Sequence, residues 1–278
     1  MNGEDVTAGK GPSPWVFFAL TFALTWIFWL PLALSGQNVV EGPLMIALLL
    51  GGFGPSVAGI IMVYWTRGRQ GGRDFWRRSF NFKQIGAGWY VVILLIFPAV
   101  YGLGSLLDVL LGGSPAQAAA VAQIVAQPAS LLIMVVMGLV MGPLAEEFGW
   151  RGFALDGLQS KWSALASSLV LGLFWWLWHL PLFLMVGMVQ HEMGLGTLAF
   201  WTFAANVFAQ SILYAWVYNN TGRSILAAIL LHFMVNSTQN LLAPISERTF
   251  LFSTMLLVLA AILVVFAWGP KTSTRQRG

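Results

Sequence analysis

The sequence predicts an all-α polytopic membrane protein, and three features of composition and pattern carry that prediction. Charged residues make up 9% of the 278 residues and the mean hydropathy is +0.77, whereas soluble domains average about 25% charge. Apolar segments recur at close to the roughly 20 residues that a spanning helix needs. The 14 Trp and 20 Phe suit aromatic belts at membrane interfaces. An ordinary soluble enzyme, a nucleic-acid binder and a disordered chain are therefore excluded.

Eight apolar segments are the candidate transmembrane helices. In chain order they are Pro14–Leu34, Pro43–Trp65, Trp89–Leu111, Ala129–Ala145, Ala164–Val186, Gly196–Tyr218, Ser224–Leu242 and Thr249–Trp268. The fourth is short and runs directly into charged residues. Since no repeat or linker interrupts the chain, we expect one membrane-embedded domain over residues 1–278 with an intramembrane active-site cavity.

The distribution of Lys and Arg predicts the orientation. If the connection after the second segment is cytoplasmic, eight crossings place both termini in the cytoplasm, and 12 of the 14 basic residues fall on that side, as the positive-inside rule requires. Those 12 are Lys10, Arg67, Arg69, Arg73, Arg77, Arg78, Lys83, Lys161, Arg223, Lys271, Arg275 and Arg277. The exceptions are Arg151 and Arg248. We therefore expect a multi-pass protein of the cell membrane whose basic composition reflects topology rather than nucleic-acid binding.

The first embedded polar cluster lies where the fourth segment meets charged residues. Adjacent helical residues point about 100° apart, so Glu146 and Glu147 serve different purposes. Glu147 and Arg151 share a helix face and can pair, which leaves Glu146 without a local cation, as suits a general base. Pro143 predicts a bend or a new helix start just before them. The alternative is an interfacial ion pair that ends a span.

Two histidines sit in other apolar segments. His179 follows a run of Trp and Leu, with Trp175 one turn earlier on the same face and Pro181 loosening the helix behind it. His232 and Asn236 align four residues apart, and such a pair of donors can hold an oxyanion. A core histidine bonded to a carbonyl, and hydrogen bonding between helices, remain the alternative interpretations.

Together these clusters resemble the CPBP family, also called Abi, of type II CAAX-prenyl endopeptidases and bacteriocin-processing or immunity proteins. The motifs that carry the resemblance are Glu146-Glu147-x-x-x-Arg151, an aromatic-x-x-x-His ending at His179, and His232-x-x-x-Asn236. They define a family-like catalytic core at about residues 141–236. One position departs from the pattern: Trp175 stands where the family usually has Phe, and this bulkier ring changes the pocket rather than the chemistry.

The resemblance implies an intramembrane glutamate-type endopeptidase that needs no metal. It assigns water activation to Glu146 and His179, oxyanion stabilisation to His232 and Asn236, and an orienting role to Glu147, Arg151 and Trp175. The implied partners are membrane lipids and a peptide or protein substrate, lipid-modified or not, and no nucleic acid is expected.

Three other functions stay open at this point. A non-catalytic immunity or scaffold protein could share the fold, and a transporter could use the same intramembrane charges. A zinc-dependent peptidase is the third, because Glu146, His179 and His232 are all possible zinc ligands. The H-E-x-x-H zinc motif is incomplete, however, since His191-Glu192 is followed by Leu195. We therefore expect no cofactor, with zinc as the alternative.

Overall fold

The computed structural model describes residues 13–114, 127–243 and 245–274, and the regular elements in these ranges are helices. The α-helices are α1 (Pro14–Ser35), α2 (Leu44–Gly52), α3 (Gly54–Phe80), α4 (Ala87–Leu110), α5 (Pro128–Leu139), α6 (Ala145–Gly149), α7 (Leu155–Gln159), α8 (Ala164–Trp178), α9 (Val189–Met193), α10 (Leu198–Asn220), α11 (Ile225–Leu241) and α12 (Glu247–Trp268). Turns of 3-10 helix cover Phe82–Gln84 and Leu180–Leu184, and π-helical turns cover Val140–Leu144 and Trp150–Ala154. The predicted all-α polytopic membrane fold is confirmed.

Seven segments of the described chain are long and apolar enough to cross a membrane. They are Pro14–Ser35, Leu44–Phe80, Ala87–Leu110, Leu131–Gln159, Ala164–Leu184, Leu198–Asn220 and Glu247–Trp268. The remaining predicted span corresponds to α11, a helix of 17 residues. At 1.5 Å per residue, α11 is about 26 Å long, slightly less than a hydrocarbon core of about 30 Å. It packs against α3, α4, α5 and α10 and carries two of the predicted site residues.

The fourth segment differs from the prediction in a way that matters for the site. We expected it to end at Ala145, but the helical path continues to Gln159, and Glu146 lies near the middle of a segment of 29 residues. The expectation that the two glutamates sit at the end of a span is therefore wrong. A hydropathy count treats every ionisable side chain as a full charge in lipid, and it does not register that neighbouring side chains pair with these carboxylates.

A backbone break precedes the glutamates, as Pro143 predicts. Met141 (φ −88°, ψ 91°) and Gly142 (φ 121°, ψ −83°) leave the helical region inside the π-helical turn. Proline has no N–H to donate to the preceding turn. The hydroxyl of Ser56 donates to the carbonyl of Leu144 over 2.8 Å, which satisfies one acceptor beside the break. The glutamates thus lie at the start of a new helix, α6, that begins after the break.

Two glycines bring α6 against α3. A Cβ on Gly59 would lie 2.6 Å from the Cα of Gly149, and a Cβ on Gly149 would lie 2.1 Å from the carbonyl oxygen of Pro55. Both positions therefore have room only for hydrogen. Small residues permit such close approach of helix backbones in membranes, and here the contact fixes the segment that carries the glutamates.

The fifth predicted span also ends earlier than expected as an α-helix. We predicted Ala164–Val186, but α8 ends at Trp178, and the chain continues as the 3-10 turn Leu180–Leu184. Pro181 lies at the start of that turn, where its fixed φ and missing N–H are tolerated. His179 is the C-cap of α8, so its side chain projects from the last turn of a helix.

The connections that carry basic residues meet at one end of the bundle. The N–H of Ala164 donates to the carbonyl of Lys271 over 2.8 Å, and the amide of Gln84 donates to the carbonyl of Thr221 over 3.2 Å. The rings of Trp15 and Trp162 lie 6.0 Å apart, so both termini of the described chain are also at this end. Its assignment to the cytoplasm stays a prediction. Lys10, Arg275, Arg277 and most of the connection 112–128 lie outside the described residues.

Candidate active site

Glu147 is the centre of a buried ion-pair network. Arg151 donates from Nη1 to both carboxylate oxygens, over 2.9 Å to Oε1 and 3.2 Å to Oε2. The ring of His232 donates from Nδ1 to Oε1 over 2.8 Å, which links α6 to α11. Glu147 and Arg151 are both 0% exposed. The pairing predicted from the four-residue spacing is present, and the structure adds His232 as a second partner of the same carboxylate.

Aromatic rings enclose the guanidinium of Arg151. Its Cζ lies 4.5 Å from the centre of the Trp175 ring and 4.2 Å from the centre of the Tyr214 ring. Nε and Nη2 are buried without a hydrogen-bond acceptor among the described residues. Attraction between a desolvated cation and aromatic faces is worth about 2 kcal/mol, so the rings replace part of the hydration that burial removes. The cation is thereby fixed for Glu147.

Glu146 is held in a different way, by two indoles. Trp175 donates from Nε1 to Oε2 over 2.6 Å, and Trp150 donates from Nε1 to the same oxygen over 3.2 Å. The residue is only 6% exposed, and the described residues offer no hydrogen bond to Oε1. The carboxylate therefore has one oxygen anchored by two neutral donors. We expected Glu146 to lack a local cation, and no Lys or Arg among the described residues forms an ion pair with it.

His179 presents one ring nitrogen to the same region. Its Nδ1 lies 2.7 Å from the carbonyl oxygen of Trp175. Because a carbonyl oxygen only accepts, Nδ1 carries the proton of the neutral ring and Nε2 is left as an acceptor. The rings of Trp178 and Phe203 pack against the imidazole, with ring centres 4.8 and 5.4 Å away. His179 is thus a base with a fixed tautomer in an apolar surround.

Asn236 and His232, the predicted pair of donors, both approach the backbone break at Gly142. A Cβ built on Gly142 would lie 2.6 Å from Nδ2 of Asn236 and 3.0 Å from Nε2 of His232. Asn236 also donates from Nδ2 to the carbonyl of Met141 over 3.3 Å. Two side-chain nitrogens from successive turns of α11 therefore face one small space beside Gly142. Such convergence is the geometry that an oxyanion requires.

Trp175 is the residue that connects the predicted site residues. Besides its bonds to Glu146 and its contact with Arg151, its ring centre lies 6.0 Å from that of His179 and 5.8 Å from that of His232. The structure thus assembles the predicted side chains from α6, α8 and α11 around one indole. The role of each in catalysis remains a prediction, as does an enclosed cavity between them.

Three residues that contribute to the site were not predicted from the sequence. Trp150 follows Glu146 by four residues, the spacing that predicted the pair of Glu147 with Arg151, so the same rule could have found it. Gly142 stands before Pro143, a dipeptide that often marks a backbone break. Tyr214 lies on α10 and gave no signal, because its partner Arg151 is remote in sequence.

The described residues contain no preformed cluster of side chains that could bind a metal ion. Among residues 13–114, 127–243 and 245–274, no three His, Asp or Glu side chains gather as a metal ion requires. His191, the start of the incomplete zinc motif, has its Nδ1 3.2 Å from the carbonyl oxygen of Phe183.

Two comparisons with known proteins both find similarity to CAAX prenyl proteases. The family model described as type II CAAX prenyl endopeptidase Rce1-like matches residues 128–238. The chain is also 30% identical over 258 residues to CAAX prenyl protease 2 of Methanococcus maripaludis, an alignment that covers 91% of this chain and 94% of that relative. The matched range of the family model contains the assembled residues Glu146, Trp175, His179, His232 and Asn236.

Proposed function

The chain belongs to the family of Rce1-like type II CAAX prenyl endopeptidases, and from this premise we propose that it is a glutamate-dependent intramembrane endopeptidase. The family supports a protease that resides in the membrane. The specific proposal is that Glu146 and His179 activate a water molecule that attacks a peptide bond. The observation that carries it is the environment of Glu146, whose carboxylate is buried and anchored on one oxygen by two indoles.

Glu146 acts as the general base in this proposal. A water molecule donates one hydrogen to Oε1 of Glu146 and the other to Nε2 of His179, which the Trp175 carbonyl keeps as an acceptor. As the water oxygen attacks the peptide carbonyl carbon, its proton passes to Glu146 and the carbonyl electron pair moves to oxygen. When the C–N bond then breaks, Glu146 returns that proton to the departing amine. The protein's groups are regenerated in full.

Asn236 and His232 stabilise the negative oxygen that forms. Both nitrogens face the space beside Gly142, so a carbonyl oxygen placed there accepts from each. In this role the imidazole of His232 carries protons on both nitrogens, with Nδ1 donating to Glu147 and Nε2 to the oxyanion. Losing one such donor typically lowers kcat by about 100- to 1,000-fold.

Glu147 and Arg151 position the site rather than touch the substrate. Glu147 fixes the ring of His232, and Arg151 fixes Glu147 through two hydrogen bonds. A catalytic side chain that a neighbouring carboxylate holds by a hydrogen bond keeps its orientation through the reaction. The rings of Trp175 and Tyr214 in turn enclose Arg151, so the positioning network connects the four helices α6, α8, α10 and α11.

The substrate we propose is a membrane-associated protein or peptide. The site lies near the middle of a membrane-spanning segment, which a segment already in the bilayer reaches most directly. Aromatic rings beside His179 provide an apolar wall that suits a lipid-modified chain. The name of the archaeal relative makes a C-terminal CAAX sequence with a prenylated cysteine the first substrate to test.

The test uses the purified full chain in liposomes. A fluorescent peptide that ends in a prenylated CAAX sequence is incubated with the protein, in parallel with the same peptide lacking the prenyl group. We expect cleavage of a peptide bond, with the prenylated peptide preferred, and mass spectrometry identifies the products. If neither peptide nor any other membrane-associated peptide is cleaved by folded protein, the result overturns the endopeptidase proposal and favours an immunity or scaffold role.

A further inference from the structure

A cavity of about 650 Å³ lies where α3, α7 and the turn between α10 and α11 meet, and neither Glu146 nor Glu147 lines it. Its charged lining consists of Arg67, Arg77, Arg78, Arg223, Asp74 and Asp156. Four guanidinium groups and two carboxylates line it, which gives a formal net charge of +2 (four minus two). This excess of positive charge is concentrated in a single recess.

Asp156 does not neutralise the arginines around it. Its carboxylate is the shared partner of Arg223 at 2.5 Å, Arg78 at 3.4 Å and Arg67 at 3.5 Å. Asp74 pairs with Arg78 over 2.9 Å and with Arg77 over 2.5 Å. Two carboxylates therefore face four guanidinium groups, which still repel one another at a cost that low dielectric increases. An anion bound in the recess removes that repulsion. The side chain of Arg223 is 51% exposed and can turn from Asp156 toward such a ligand.

The backbone of Arg223 adopts an uncommon conformation for a large side chain. Its φ is 63°, in the left-handed region that glycine and asparagine enter most readily. The conformation is held by its own N–H, which donates to the carbonyl of Tyr218 over 2.8 Å, and by its carbonyl, which accepts from Arg78 over 3.3 Å. The fold thus keeps an arginine where a glycine would fit better, with its charge at the cavity mouth.

Exposed aromatic residues place the cavity at the level of the lipid headgroups. Trp65 precedes Arg67 by two residues and is 72% exposed, and Phe80 follows Arg78 by two residues and is 61% exposed. Large aromatic side chains collect at the membrane–water boundary, and arginines there contact phosphate groups. A free phosphate ion would occupy little of the 650 Å³, whereas a lipid headgroup fills more of it.

We propose that this arginine-lined cavity binds the phosphate group of an anionic lipid headgroup. The guanidinium fork matches phosphate oxygens in a bidentate geometry, and the partly exposed Arg223 and Arg67 supply two forks from two elements. Arg78 is buried and held by Asp74, Asp156 and Tyr218, so it contributes its charge. The net positive lining selects lipids whose headgroup carries no compensating cation. The site is separate from Glu146 and stands whether or not the peptidase proposal holds.

The experiment measures binding of water-soluble short-chain lipids to the purified full chain by calorimetry. The probes are dihexanoyl phosphatidylglycerol, dihexanoyl phosphatidylcholine and inorganic phosphate. We expect the phosphatidylglycerol to bind at least tenfold more tightly than either other probe, and its affinity to fall in high salt. Arg223→Gln should weaken it by about 10- to 100-fold, as the loss of one charge-assisted hydrogen bond does.

Two further variants keep the test decisive. Arg248→Gln is the matched control, because Arg248 is 50% exposed and paired with an aspartate, Asp108, at the opposite end of the bundle. Its binding should equal that of the wild type. Arg223→Gly removes the charge at a position that favours glycine, so it should fold normally and still bind weakly. Equal binding of the two lipids, equally tight inorganic phosphate, or unchanged affinity in both Arg223 variants would overturn the proposal.

Discussion

The indole N–H of Trp175 lies 2.6 Å from Oε2 of Glu146, and this hydrogen bond joins α8 to the segment that carries the buried carboxylate. A phenylalanine, which the family pattern usually has at this position, could not donate it. The bond orients Glu146 through a neutral donor. In our account, this leaves the carboxylate oriented and still able to accept a proton.

Replacing Trp175 by Phe should lower kcat/KM by about 10- to 100-fold. The substitution keeps an aromatic ring over Arg151 and removes only the N–H donor to Glu146, and hydrogen bonds to charged groups contribute about 1.5–3 kcal/mol. Trp178→Phe is the matched control, because its buried N–H donates over 2.8 Å to the hydroxyl of Thr25 and not to the site. Steady-state kinetics should show the loss in kcat with KM nearly constant. Equal losses in both variants would contradict a positioning role for Trp175.

Replacing Arg151 by Met should destabilise the protein strongly. The change leaves Glu147 buried without its cation, and breaking a buried ion pair costs about 3–5 kcal/mol. The thermal midpoint in detergent should fall by about 10 °C. The double variant Glu147→Met with Arg151→Met should recover part of that loss, although activity should stay absent. Arg77→Met tests an exposed pair and should change the midpoint by no more than about 2 °C. Similar effects from Arg151 and Arg77 would contradict the buried network.

Replacing Gly142 by Ala should abolish most activity. The residue has a φ of 121°, and an added Cβ would sit 2.6 Å from Nδ2 of Asn236 and 3.0 Å from Nε2 of His232, in the space we assign to the oxyanion. Gly138→Ala is the control, because its nearest contact would be 3.6 Å away and alanine favours the helix. We expect a drop in kcat of at least 100-fold for Gly142→Ala and none for Gly138→Ala. Full activity of a folded Gly142→Ala variant would exclude this space as the oxyanion site.

The proposed mechanism requires no metal ion. Dialysis against a strong chelator should leave the cleavage rate unchanged, and elemental analysis of active protein should show far less than one zinc per chain. Loss of activity in chelator that zinc restores, with one zinc bound per active chain, would instead establish the zinc-peptidase alternative.

Local spacing was enough to predict several contacts of the site. Residues four apart lie on the same helix face, so the pairing of Glu147 with Arg151 could be predicted from the sequence. That pairing in turn predicted that Glu146 has no local cation partner. Pro143 predicted the backbone break in the same way. These inferences depend on helix geometry alone and need no knowledge of tertiary structure.

Contacts between distant segments could not be predicted from spacing. His232 was expected to act with Asn236, but nothing in the sequence showed that its Nδ1 would bond to Glu147 from another helix. The contact between Tyr214 on α10 and Arg151 could not be predicted for the same reason. The same limitation of spacing explains why we ended the fourth span too early. Two glutamates and an arginine are costly in lipid, and only their partners on other helices make it favourable for the helical segment to continue through them.

The most direct test of the account is the rate of peptide cleavage by a folded Glu146→Gln variant. Glutamine keeps the shape and can still accept from both indoles, but it cannot take a proton from water. With Glu192→Gln as the control at an exposed carboxylate, we expect the Glu146 variant to lose at least 1,000-fold in kcat and the control to match the wild type. Cleavage at the wild-type rate by Glu146→Gln of unchanged thermal stability would contradict the central claim.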